Sequence, residues 1–69
     1  MKQADLENRF TYHPPKEGQP EVYDAVRAFA KSFAYFIDTH CPEGREQSLA
    51  VTHIEEAVFW ANAAIARSE

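Results

Sequence analysis

The segment from Arg45 to the C-terminus constrains this chain more than any other. No Gly or Pro interrupts it, and most of its residues favour a helix. Wound as a helix, it places Ala50, Ile54, Ala57, Ala61 and Ala64 on one narrow seam of mostly small side chains. Val51, Val58 and Ile65 form a second seam, and Phe59 and Trp60 fall outside the first. A surface helix normally shows one apolar stripe, and one partner helix cannot cover this much. The other 44 of the 69 residues hold too little to cover it either. The segment therefore predicts association with further copies of the chain.

Size supports the same expectation. A chain this short is marginal without staples or partners. Cys41 is the only cysteine, so no disulfide can form within the chain. One Cys and three scattered His do not supply a zinc site, and no metal or cofactor is expected. Cys41 reads as a free thiol in a reducing, cytoplasmic compartment. The net charge of −4 argues against a general DNA or RNA binder, which needs a basic face. It leaves room for a small anion held by a few converging arginines. The first nine residues lack the apolar run of a signal peptide. No stretch is long and apolar enough to span a membrane.

The chain reads as one domain over 1–69, with an arm over 1–19, a first helix over 20–40 and a second over 43–67. Residues 1–9 are expected to form a short helix or to stay disordered. Residues 10–20 read as an extended loop, because Pro14 and Pro15 exclude a helix interior there. Phe10, Tyr12 and His13 sit on that loop, and rings on an irregular segment are expected to pack onto something. Pro20 suits a first helical turn, and Glu21 and Asp24 suit the positive end of the dipole. Val22, Val26, Phe29, Phe33 and Phe36 then alternate steps of four and three, the pattern of a packed helix pair. Ala30, Ala34 and Ile37 widen that stripe. The break from Cys41 to Gly44 is short, so the two long helices should be antiparallel neighbours. The expected fold class is all-α: an antiparallel two-helix hairpin with an N-terminal loop or short helix, assembled as a compact homo-oligomer.

Arg45 is the first candidate for chemistry. A guanidinium offers planar, bidentate hydrogen bonds to phosphate. A helix N-terminus adds unpaired N–H groups and a favourable dipole. Ser48 and Thr52 share roughly one helix face with Arg45 and offer hydroxyls to phosphate or sugar. The plainer reading is a solvated Arg45 beside Glu43 and Glu46. Tyr12 and His13 form a second candidate, since aromatic faces stack on bases, and Lys16 suits a phosphate. The plainer reading there is rings covering the hairpin end and a solvated Lys16 beside Glu17. His53 and Glu56 have a metal-ligand spacing but no carboxylate partners on the first helix's apolar face. Trp60 and Asn62 read as interface anchors. There is no Gly-rich phosphate loop, nucleophile elbow or zinc signature, so no catalytic residue is assigned and the chain is not expected to be an enzyme.

These residues resemble one family. Phe10, Tyr12, His13, Pro15, Lys16, Gly18 and Gln19 carry the first part of the resemblance, followed by Tyr23, Val26 and Arg27. Cys41, Pro42 and the run from Arg45 to Ala50 carry the next. Glu55 to Val58 and the run from Trp60 to Arg67 complete it. The pattern, over about residues 10–69, resembles the helical-hairpin domain of phage anti-CBASS and Thoeris anti-defence sponge proteins. That family implies a compact homo-oligomer, commonly a hexamer, which sequesters cyclic di- or trinucleotide immune signals without cleaving them in the cytoplasm of the infected bacterial host. The resemblance places Arg45, Ser48 and Thr52 at the phosphates and riboses of the ligand, and Tyr12, His13 and Lys16 at a second pocket. Some members carry more chain ahead of the hairpin, whereas nine residues precede Phe10 here. A cyclic trinucleotide is accordingly expected before a cyclic dinucleotide. The alternative is a protein-interaction or inhibitor hairpin with no nucleotide ligand.

Overall fold

A computed structural model describes residues 3–68. Those residues are helical throughout their regular structure: α1 (Gln3–Phe10), α2 (Gln19–His40) and α3 (Arg45–Arg67). α2 and α3 pack against each other as an antiparallel hairpin, while α1 makes only slight contact. Every residue of α1 is exposed.

Glycine and proline set the boundaries. Gly18 takes a left-handed φ of 82°, and Pro20 fills the first turn, so α2 begins at Gln19, one residue before the sequence expectation. Gly44 adopts φ 156° and ψ −169°, a region open essentially to glycine alone. Pro42 and Glu43 therefore stay outside α3, which starts at Arg45 rather than at residue 43. The N-terminal arm also needs correction. Phe10 closes α1 instead of opening a loop, and the extended segment starts after it. Nor do two of the arm's three rings cover the hairpin end, since Phe10 is 84% exposed and Tyr12 80%, whereas His13 is half-buried there.

Carboxamides from opposite helices fasten the two ends of the hairpin. A helix C-terminus leaves its last carbonyls without partners. The Gln47 side-chain N–H, on the first turn of α3, donates to the carbonyls of Asp38 (3.2 Å) and Cys41 (3.1 Å) at the end of α2. At the far end the Gln19 side-chain N–H donates to the Ile65 carbonyl at 3.0 Å. The Gln19 Oε1 accepts from the Lys16 backbone N–H at 2.8 Å, which fixes the turn into α2.

The seam between the helices differs from the expected one. Tyr23, Val26, Ala30, Ala34 and Ile37 of α2 are its half-buried positions, facing Ala50, Ile54, Val58, Ala61 and Ile65 of α3. Phe29, Phe33 and Phe36 stand outside it. Small side chains let two helices approach closely, so the alanine-bearing stripe wins the contact and the phenyl rings are turned out. Phe36 stacks on His40 one turn later, with ring centroids 4.3 Å apart.

No described residue is fully buried. The radius of gyration is 15.3 Å, against about 11 Å for a compact domain of this length. The principal extents are 45 × 30 × 12 Å, so the molecule is one helix thick. Domains are built from at least two packed layers, and here one layer is present with both sides open.

Candidate ligand site at the hairpin turn

The turn that Gly44 forces leaves Arg45 as the first residue of α3. No side chain caps this helix start. The Ser48 N–H donates to the Gly44 carbonyl at 3.1 Å, closing the first turn. Among the described residues Arg45 makes no ion pair, either with Glu43 or with Glu46. The guanidinium is exposed, and so are Glu43 and Glu46, as the plainer reading of a solvated Arg45 also has it. Ser48 and Thr52 are exposed too, three and seven residues on. At 100° per residue all three lie within about 60° of arc, on the same side of the helix.

The second candidate set lies elsewhere. The His13 ring Nε2–H donates to the Asn8 carbonyl at 2.7 Å, closing the end of α1. The Lys16 ammonium donates to the Ser68 carbonyl at 2.9 Å, just beyond α3. A cation is favoured at a helix C-terminus by the dipole as well as by the hydrogen bond. Asn8, His13, Pro14, Pro15, Lys16 and Ser68 surround a small cleft of about 340 Å³ there. Tyr12 projects into solvent beside it. α3 is roughly 35 Å long at 1.5 Å per residue. Arg45 and Lys16 therefore mark opposite ends of the hairpin, and one chain does not bring the two sets together.

Other candidates resolve simply. His53 Nδ1 lies 3.8 Å from Glu56 Oε2 as an exposed pair along one helix. Among the described residues no group of three His, Cys, Asp or Glu side chains is placed to hold a metal. Cys41 is a half-buried free thiol. Trp60 is 70% exposed, and the buried Oδ1 of Asn62 finds no donor among the described residues. No described helix is long and apolar enough to cross a membrane. Sequence reading missed the capping roles of Gln19 and Gln47; their place in the first turn after a break was the available signal.

The described residues thus form a small, thin helical hairpin with an exposed arginine at the start of its second long helix. The pattern of the Acb2/Tad1 hairpin domain matches residues 2–66, and the chain belongs to that family of anti-CBASS and anti-Thoeris sponges. No curated protein and no solved structure matches it.

Proposed function

We propose that the chain is an anti-defence sponge that binds cyclic oligonucleotide immune signals and holds them without cleaving them, in the cytoplasm of the infected host. The observation that carries this reading is the free Arg45 at the uncapped start of α3, with Ser48 and Thr52 behind it on one side. A phosphate at that position meets a guanidinium fork, unpaired N–H groups and the positive end of a helix dipole. Family membership supports the same class of function.

One protomer presents one Arg45, and a cyclic trinucleotide presents three phosphates. A homo-oligomer, in this reading a hexamer, brings several Arg45 residues around one ligand, so that protein and ligand share a three-fold axis. Ser48 and Thr52 then supply hydrogen bonds to phosphate or ribose. The cleft beside Tyr12, His13 and Lys16 is the proposed second pocket, suited to a cyclic dinucleotide, with Tyr12 free to stack on a base. In this reading the sponge works by affinity alone.

Isothermal titration calorimetry against cyclic tri-AMP, with cyclic GMP–AMP in parallel, tests the reading. Tight binding at a fraction of one ligand per chain, with intact ligand recovered after heating the complex, is expected. Absence of heat with both ligands would overturn it in favour of the protein-interaction hairpin. Recovery of a linear product would make the chain an enzyme.

A further inference from the structure

The cleft at the open end of the hairpin has a second cation. Arg67, the last residue of α3, lines it together with Lys16, and no described carboxylate does. Other hollows of the chain mix signs or are acidic. One groove has Arg27 and Lys31 beside Glu55, and another has Lys31 beside Asp38. The hollow at Cys41 carries Glu43 and Glu46. Two cations on one cleft therefore stand out on a chain of net charge −4.

A helix C-terminus accounts for one nearby cation, and at α3 that need is already met. The Ile65 carbonyl accepts from the Gln19 side-chain N–H at 3.0 Å, the Ser68 backbone N–H at 3.3 Å and the Ser68 hydroxyl at 2.7 Å. The Ser68 carbonyl accepts from Lys16 at 2.9 Å. The Arg67 guanidinium joins neither carbonyl and makes no ion pair among the described residues, although Arg67 is half-buried along the cleft. Lys16 uses one of its three N–H donors on Ser68 and keeps two.

We propose that Lys16 and Arg67 form a phosphate site between the N-terminal arm and the end of α3. The inference rests on the second pocket of the reading above, and adds to it Arg67 and the chemistry of the group bound. Arg67 supplies a planar fork that matches phosphate oxygens. The Ser68 carbonyl anchors Lys16 at the cleft, so little side-chain freedom is lost when an anion arrives. The negative end of α3 opposes an anion, but the donors on the Ile65 and Ser68 carbonyls offset that field. Lys16 belongs to the arm and Arg67 to α3, so a phosphate held by both ties the two elements together. α1 otherwise makes only slight contact with the hairpin.

The test titrates inorganic phosphate, adenosine monophosphate and cyclic GMP–AMP separately into the full-length protein, followed by amide NMR shifts and calorimetry. Shifts are expected at residues 13–16 and 66–68; those at 44–48 report the Arg45 turn separately. Arg67→Gln is expected to weaken each probe that shifts the cleft at least about tenfold, the loss of one charge-assisted contact. Arg67→Lys should fall between, and Lys31→Gln, away from the cleft, should stay within about twofold. Cyclic tri-AMP affinity in Arg67→Gln should also stay within about twofold, which separates a local loss from a damaged fold. No shift at the cleft with any probe, or unchanged affinity in Arg67→Gln, overturns the proposal. Cleft shifts with phosphate and the monophosphate but not with cyclic GMP–AMP keep the site and remove the dinucleotide from it. Cyclic GMP–AMP that binds with shifts only elsewhere overturns the site and leaves the sponge standing.

Discussion

Two cations serve opposite ends of the hairpin and have different environments. Lys16 donates to the Ser68 carbonyl at 2.9 Å, so its ammonium already has a partner within the fold. Arg45 has none among the described residues, and it stands where a helix start draws anions. Substituting them should separate stability from binding. Arg45→Ala is expected to lower cyclic trinucleotide affinity at least about 100-fold, since one charge-assisted contact is worth about 1.5–3 kcal/mol and each chain around the ligand loses its own. Circular dichroism and ultracentrifugation should show helicity and assembly unchanged. Arg45→Lys keeps the charge without the fork and should fall between. Unchanged affinity in Arg45→Ala, measured by calorimetry, would remove this residue from the site. Lys16→Ala is expected to cost below about 1 kcal/mol of stability, the range of an exposed contact at a helix end, and to leave trinucleotide affinity within about twofold. A large loss of trinucleotide affinity would join two ends that a single chain keeps apart.

At the level of elements, the hairpin depends on its ends because its middle buries so little. Gln47 joins the start of α3 to the last carbonyls of α2, and Gln19 joins the start of α2 to the end of α3. Gln47→Ala leaves two carbonyls short of a donor and should cost about 1–2 kcal/mol. Gly44→Ala should cost about 1–3 kcal/mol through backbone strain alone. The added Cβ would meet only Glu46 Oε2 at an ordinary 3.8 Å, so crowding contributes nothing. Thermal melts at one fixed protein concentration measure both, and a Gly44→Ala protein as stable as wild type would refute the strain argument. These local rules explain what could be read in advance. Pro20, Gly44 and the unbroken run after it mark α2 and α3 to within two residues, because glycine and proline act on the backbone nearby. The position of Arg45 at a helix start followed from the same signals. The inner face of α2 did not follow, because Val26 and Ile37 sit between two adjacent stripes, one of phenylalanines and one of alanines. Periodicity marks both stripes as apolar but leaves open which approaches the partner, and close packing of small residues decides that. The capping roles of His13 and Lys16 were hidden for another reason: Lys16 meets a carbonyl 52 residues away, a pairing that exists only once the hairpin has closed.

For the whole molecule, the binding reading becomes an argument about stoichiometry. A site made by one chain would bind one ligand per chain, whatever the assembly. One Arg45 per chain at an exposed turn instead suits a site shared around an axis. If three turns meet around a cyclic trinucleotide, calorimetry should give one ligand per three chains, and a hexamer should hold two. A cyclic dinucleotide held at a two-fold junction should give one ligand per two chains. Sharing also ties binding to assembly, since a ligand that touches three protomers binds the assembled form and not the separate chains. Saturating ligand should therefore raise Tm and shift half-dissociation to lower protein concentration, by about 2.7 kcal/mol at 100 times Kd. A mixture of wild-type and Arg45→Ala chains sharpens the test. With three arginines required at each site, an equal mixture that assembles at random leaves about one site in eight fully wild type, and tight-binding capacity should fall accordingly. A site built by one chain would retain about half. Capacity at half the wild-type value, or one ligand per chain in the unmixed protein, would show that Arg45 acts alone and that assembly serves the fold rather than the ligand.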